Sequence, residues 1–133
     1  MFSFGADLFH GSLPGERIVP VAPIVGIAPI GGYGYWLVGS DGGVFSIDAC
    51  SFTGSFLGSM AGHHLNAPIV GIASSGDGYW LAGADGGVFS FGAPFYGSLP
   101  AMRIRPSAPI VGIAPTPDEG GYWLVGADGG VFS

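Results

Sequence analysis

The chain has 133 residues, of which only 9% are charged, with no Lys, three Arg and nine acids for a formal charge of −6. Such a balance excludes the basic surface that nucleic acid requires, and Pro20, Pro23 and Pro29 interrupt the uncharged stretch 18–39, which excludes a membrane-spanning helix. Gly and Pro, at 27 and 11 residues, would suggest disorder in an aperiodic chain, but 14% aromatics and a strict repeat point to folded structure.

Taken in chain order, residues 1–15 read as the end of one strand followed by a complete strand, ADLFHGSLPG. PIVGIA at Pro23 is then a short apolar strand, and the Tyr35-Trp36-Leu37 run is the next. The turn at Asp41 carries Asp-Gly between apolar runs, the strongest short-range hairpin signal, so this second strand is antiparallel to a third, VFS, at 44–46. The sequence then repeats itself. ACSFTGSFLG follows, PIVGIA recurs at Pro68 and Pro109, Tyr-Trp-Leu at Tyr79 and Tyr122, and DGGVFS at Asp85 and Asp128, a period of roughly 41 to 45 residues. After the second VFSFG, the segment APFYGSLPA matches the two earlier fourth segments.

A period of this length built from short strands is that of a propeller blade, and Gly or Pro every few residues excludes the helices of ankyrin, armadillo or tetratricopeptide units. The expected fold is all-β: a β-propeller unit of three four-stranded blades over residues 1–133, with repeats at about 6–48, 49–92 and 93–133. Ile110, Val111 and Ile113, like Trp123, Leu124 and Val125, are apolar on both alternating faces, as in sheets buried on both sides. Gly26, Gly71 and Gly112 leave a strand interior without a side chain, which suits a close backbone approach and places PIVGIA along the central channel.

Met1, Phe2 and Ser3 align with Val131, Phe132 and Ser133, so an excised or engineered piece of a longer array is expected, with the N-terminal strand completing the last blade in a velcro closure. Three blades cannot encircle an axis. Exposed end faces of about 400 Å² would each forgo roughly 10 kcal/mol at ~25 cal/mol per Å², and pairing two chains hides all four against an association cost of about 4 to 15 kcal/mol. The expected partner is therefore self, in a six-bladed homodimer, with a longer parent chain carrying further blades as the rival. No basic leader precedes an apolar segment, so any signal peptide is expected to lie outside the chain or to have been removed.

Chemistry-bearing motifs are few. There is no Gly-x-Ser-x-Gly and no Lys for a phosphate loop or Schiff base, so no enzyme is expected. Cys50 is alone and reads as a small apolar residue, and His10, His63 and His64 do not make a metal site, so neither cofactor nor metal is expected. Asp41, Asp85 and Asp128 could be pictured as a ring of calcium ligands, but each supplies only one carboxylate per turn and serves the hairpin directly.

Arg17, Arg103 and Arg105, with His63 and His64 at the equivalent middle position, fall in the links from a fourth strand to the next first strand. Antiparallel connectivity puts those links on the same side as Asp41, Asp85 and Asp128, leaving Asp7, Asp48, Asp77, Asp118 and Glu119 for the opposite rim. This mixed-charge face, with its copy-specific loops, is the candidate surface for a glycan or protein ligand. The plainer alternative is a set of rim salt bridges worth little energy. Trp36, Trp80 and Trp123, with Phe45, Phe89 and Phe132, read as core between blades; repeated sugar pockets at the tryptophans are the lectin alternative.

The string GGYWLVGADGGVFSFG, assembled from the third and second copies, resembles a tandem repeat of bacterial secreted and cell-surface proteins expected to form β-propellers. The resemblance covers nearly the whole chain and implies a noncatalytic recognition or scaffold module, extracellular or at the cell surface, with no catalytic residues to carry over. The departure is copy number: three here against longer arrays.

Overall fold

The computed structural model describes residues 20–30, 34–48, 62, 64–75, 78–118 and 120–133. Among them the protein is all-β, with three antiparallel three-stranded sheets and no helix. The first sheet holds β1 (Ile24–Ile30), β2 (Gly34–Gly39) and β3 (Val44–Asp48). The second holds β4 (Ile69–Ser75), β5 (Gly78–Gly83) and β6 (Val88–Phe91), and the third β7 (Ile110–Pro115), β8 (Tyr122–Gly126) and β9 (Val131–Phe132).

Each Asp-Gly-Gly segment closes a hairpin, as its chemistry predicts. Around Asp41 the Gly39 N–H donates to the Gly43 carbonyl at 2.8 Å and the Gly42 N–H to the Gly39 carbonyl at 2.9 Å. Gly42, Gly86 and Gly129 occupy the left-handed region at φ 85°, 87° and 86°, which completes a three-residue turn that a side chain would strain. The turns also bind one sheet to the next. Ser40 donates to the Pro23 carbonyl and accepts from the Ile69 N–H, both at 2.9 Å, while Ala84 repeats the pair with Pro68 at 2.9 Å and Ile110 at 2.8 Å.

The first strands are the hub: β1 lies beside β4, and β4 beside β7. A Cβ on Gly26 would stand 3.3 Å from the Gly71 Cα, and one on Gly71 would stand 3.8 Å from the Gly112 Cα. These are the close backbone approaches that the glycines foretell.

A β-bulge in every first strand, between Ile24 and Gly26, Ile69 and Gly71, and Ile110 and Gly112, resets the alternation. Ile69 and Ile72 therefore join the same core, with Trp36, Val38 and Val44 of the sheet before. Ile110, Tyr122 and Leu124 likewise pack on Trp80, Ala82 and Val88.

The fourth strand is a correction. Residues 92–109, which hold the fourth segment that opens the third repeat, form turns and irregular backbone instead of a strand, because Pro94 and Pro100 lack the N–H that a ladder needs. Gly97 adds a φ of 120°. The segment is a strap. It is held by the Trp80 Nε1–H donating to the Pro94 carbonyl at 2.7 Å and by Leu99, buried over the second turn with its N–H on the Gly86 carbonyl at 3.1 Å. The corresponding segments at 6–15 and 49–58, including the N-terminal strand expected to complete the last blade, lie outside the described residues.

Overpacking a core position costs about 1 to 3 kcal/mol. At Gly26 a Cβ would meet Val38 Cγ1 at 3.1 Å as well as the Gly71 backbone, whereas one on Gly121 meets nothing within 4 Å. Gly26→Val is expected to lower the urea midpoint by that order, and Gly121→Ala to leave it within experimental scatter; equal midpoints would rule out close packing at the hub.

Candidate functional site

The loop end of the second and third sheets is shaped by one tight turn. Ser98 Oγ accepts from the Ala101 N–H at 3.3 Å, the Arg103 N–H reaches the Pro100 carbonyl at 3.1 Å, and the Ile104 N–H reaches the Leu99 carbonyl at 2.9 Å. This is the hydrogen-bond pattern of a Schellman closure, in which the penultimate residue is left-handed and usually Gly. Here it is Arg103, at φ 58°, the single non-glycine residue with positive φ among those described. Holding an L-residue there costs roughly 1–2 kcal/mol, and backbone strain of this kind gathers where function needs a side chain.

Beyond the turn, Arg105, Pro106 and Ser107 run toward β7 along an open cleft of about 790 Å³ that is also lined by Asp85 and Arg103. Asp85 is fixed from behind, its Oδ1 accepting the Gly87 N–H at 2.9 Å. Two exposed guanidiniums and one half-buried carboxylate thus share one surface, a donor set suited to a carboxylate-bearing ligand that also offers a hydrogen-bond donor.

Among the described residues, Asp41, His64 and Asp128 do not line this cleft. Asp41 and Asp128 accept from the Gly43 and Gly130 N–H groups at 2.9 and 3.0 Å in their own turns. His64 is exposed ahead of β4, while Arg17 and His63 lie outside the described residues. Among the described residues this cleft lies between the second and third sheets, and no group of three metal-ligating side chains gathers among those residues.

Of the aromatic positions, Trp36 and Trp80 are 0% exposed, and Phe45, Phe89 and Phe132 are half-buried. Trp123 departs from the core reading at 39% exposed, because no fourth sheet covers its face of β8 among the described residues. Gly71 is buried, and Gly26 and Gly112 are half-buried.

Sequence reasoning missed Tyr96. In the fourth segments its position is His10 and Thr53 in the other copies, and that variability was the signal that could have found it. Tyr96 stands 6.2 Å from the Trp80 ring and 6.1 Å from Tyr122, over a cavity of about 270 Å³ lined also by Met102, Thr116 and Phe132.

The Tyr122 hydroxyl donates to the Gly97 carbonyl and accepts from the Tyr96 N–H at 3.3 Å, so it ties the strap to the third sheet. Burial, the largest cause, pushes its pKa above the ordinary 10.0. On the opposite rim the Thr116 hydroxyl, first, and the Gly120 N–H, second, hold the exposed Asp118 carboxyl below its ordinary range.

No family model matches the chain, and no curated protein or solved structure matches it.

Two outcomes follow from the loop geometry. Arg103→Gly is expected to raise stability by about 1 kcal/mol through relief of strain, read as an increased urea midpoint; a decrease would mean the side chain supports the fold. Because the Tyr122 pKa is raised, its contribution is whole below pH 10.0 and lost as pH climbs through the folded value. Tyr122→Phe is expected to cost roughly 1–2 kcal/mol at neutral pH and to flatten that alkaline decline in thermal melts.

Proposed function

We propose that the chain is a noncatalytic binding or scaffold module of the β-propeller type, recognising a ligand through the loop face. The observation that carries the reading is the convergence of Asp85, Arg103 and Arg105 on one cleft, with Arg103 held in a left-handed conformation. Copy-specific loops on a repeated rigid frame are a common basis for recognition. The resemblance to repeats of bacterial secreted and cell-surface proteins supports placement outside the cell and attachment to other domains.

The propeller part of the proposal draws on first strands that meet side by side through glycine, as blades do around an axis. Three sheets form half of a six-bladed ring, and a second chain supplies the rest. Rings that lack a second chain would have to borrow blades from a longer parent.

A glycan-binding lectin is the second reading, favoured by the exposed Tyr96 over its cavity. It differs from the expected repeated sites, since a sugar cannot reach Trp36 or Trp80 without parting the sheets.

The two readings separate on arrays of carboxylate-bearing peptides and of neutral and acidic glycans. A loop-face ligand should lose roughly 10- to 100-fold in affinity in Arg103→Ala or Arg105→Ala, the worth of a charge-assisted contact, and be indifferent to Tyr96→Ala. The reverse pattern would move the site to the aromatic cavity, and binding insensitive to all three variants would sink both.

A further inference from the structure

The loops that lead into the first strands can be compared position by position. Six residues before the Pro that opens PIVGIA stand Arg17, Gly62 and Arg103, and four before it stand Val19, His64 and Arg105. Gly62 and Arg103 share the left-handed conformation, at φ 80° and 58°. The middle loop meets that demand with the residue that has no Cβ, whereas the third loop meets it with an arginine. The path of the loop does not call for arginine, so what the strain retains is the side chain.

That side chain belongs to a cleft whose charged lining residues are Arg103, Arg105 and Asp85, two guanidiniums against one carboxylate for a net charge of +1. Pro100, Ile104 and Pro106 give it an apolar wall. Neither guanidinium takes part in a hydrogen bond or ion pair among the described residues. The Asp85 carboxylate is held in place: its Oδ1 accepts the Gly87 N–H at 2.9 Å, and a Cβ on Gly83 or Gly87 would stand only 3.0 Å from that oxygen. A fixed negative charge thus shares the cleft with two unpaired positive ones.

Guanidiniums pair with carboxylate and with phosphate alike, so the arginines do not choose between them. Charge does. Coulomb attraction rises in proportion to the ligand's charge, whereas the cost of stripping water from that charge rises with its square. Two arginines alone would offset the cost for a dianion; with Asp85 among them, they offset it for a monoanion only. The formal charge of −6 on the whole chain acts in the same sense. We propose that the cleft selects monoanions, taking a carboxylate between Arg103 and Arg105 and refusing a phosphate monoester, with Asp85 as the residue that sets this specificity. The proposal rests on the loop face as the binding surface and names the class of ligand that surface admits.

Three probes of one frame test this by NMR titration of the full chain at about pH 8, where a phosphate monoester is a dianion: N-acetylaspartate amide, N-acetylphosphoserine amide and the neutral N-acetylasparagine amide. The aspartate probe is expected to shift the Arg105 and Ser107 amides and to bind about tenfold more tightly than either of the others, the order that one charge contact is worth at an exposed site. Asp85→Asn, which still accepts the Gly87 N–H, is expected to bring the phosphoserine probe level with the aspartate probe or ahead of it. Asp128→Asn makes the same change in a turn outside the cleft and is expected to keep the wild-type ratio; Asp85→Ser takes the place of the Asn variant should that one not fold. A wild type that prefers phosphoserine, or a ratio that the Asp85 variants leave unchanged, would overturn the selectivity. In that case an aspartate probe that still binds, and weakens about tenfold in Arg103→Ala, leaves the loop face standing as the binding surface. No shift with any probe, or a neutral probe that binds as tightly as the aspartate one, would remove both.

Discussion

Everything in this molecule depends on sheets leaning on one another, Trp of one against Tyr of the next. Trp36 and Tyr79, then Trp80 and Tyr122, repeat the contact at nearly the same distance and tilt. A three-stranded sheet of this size has little interior of its own. Its second strand is apolar on both faces, and neighbouring sheets let both faces be buried. The inner glycines bring the backbones near enough for these rings to meet, and the peptide at Ser40 or Ala84 adds a hydrogen bond across the same boundary.

That arrangement makes the sheet faces conservative and the loop end free to vary. A change at Trp36 or Ile72 disturbs two sheets at once, since each side chain lies in a shared core. A change in residues 100–107 alters a surface loop whose anchors, Leu99 and the Asp85 turn, remain in place. A strained Arg103 is tolerable there because its cost is small beside the burial that fixes the turn around it.

Legibility followed the locality of the physics. The hairpins were readable because Asp-Gly-Gly contains its own turn, from the Asp carboxylate on the Gly amide to the left-handed Gly between them. Gly26 and Gly71 were readable because a strand interior gives up side-chain packing chiefly where another backbone stands close against it. APFYGSLPA reads as a strand, since its aromatic pair suggests a ladder, but Pro94 and Pro100 prevail and the segment is a strap. The bulges at Val25, Val70 and Val111 left no local mark, so which Ile faces which sheet was not readable.

The residues alone determined that the chain is all-β, that it has three like units, and that its hairpins fall at Asp41, Asp85 and Asp128, because turn chemistry and repetition act within a few positions. Tertiary structure decided which side chains share a surface: that Asp85 meets the Arg103 loop while Asp41 and Asp128 do not, and that Trp123 stays half in solvent while its two counterparts are sealed. Those outcomes depend on what stands beside each sheet, and a repeated sequence is the same in the middle of a stack as at its end.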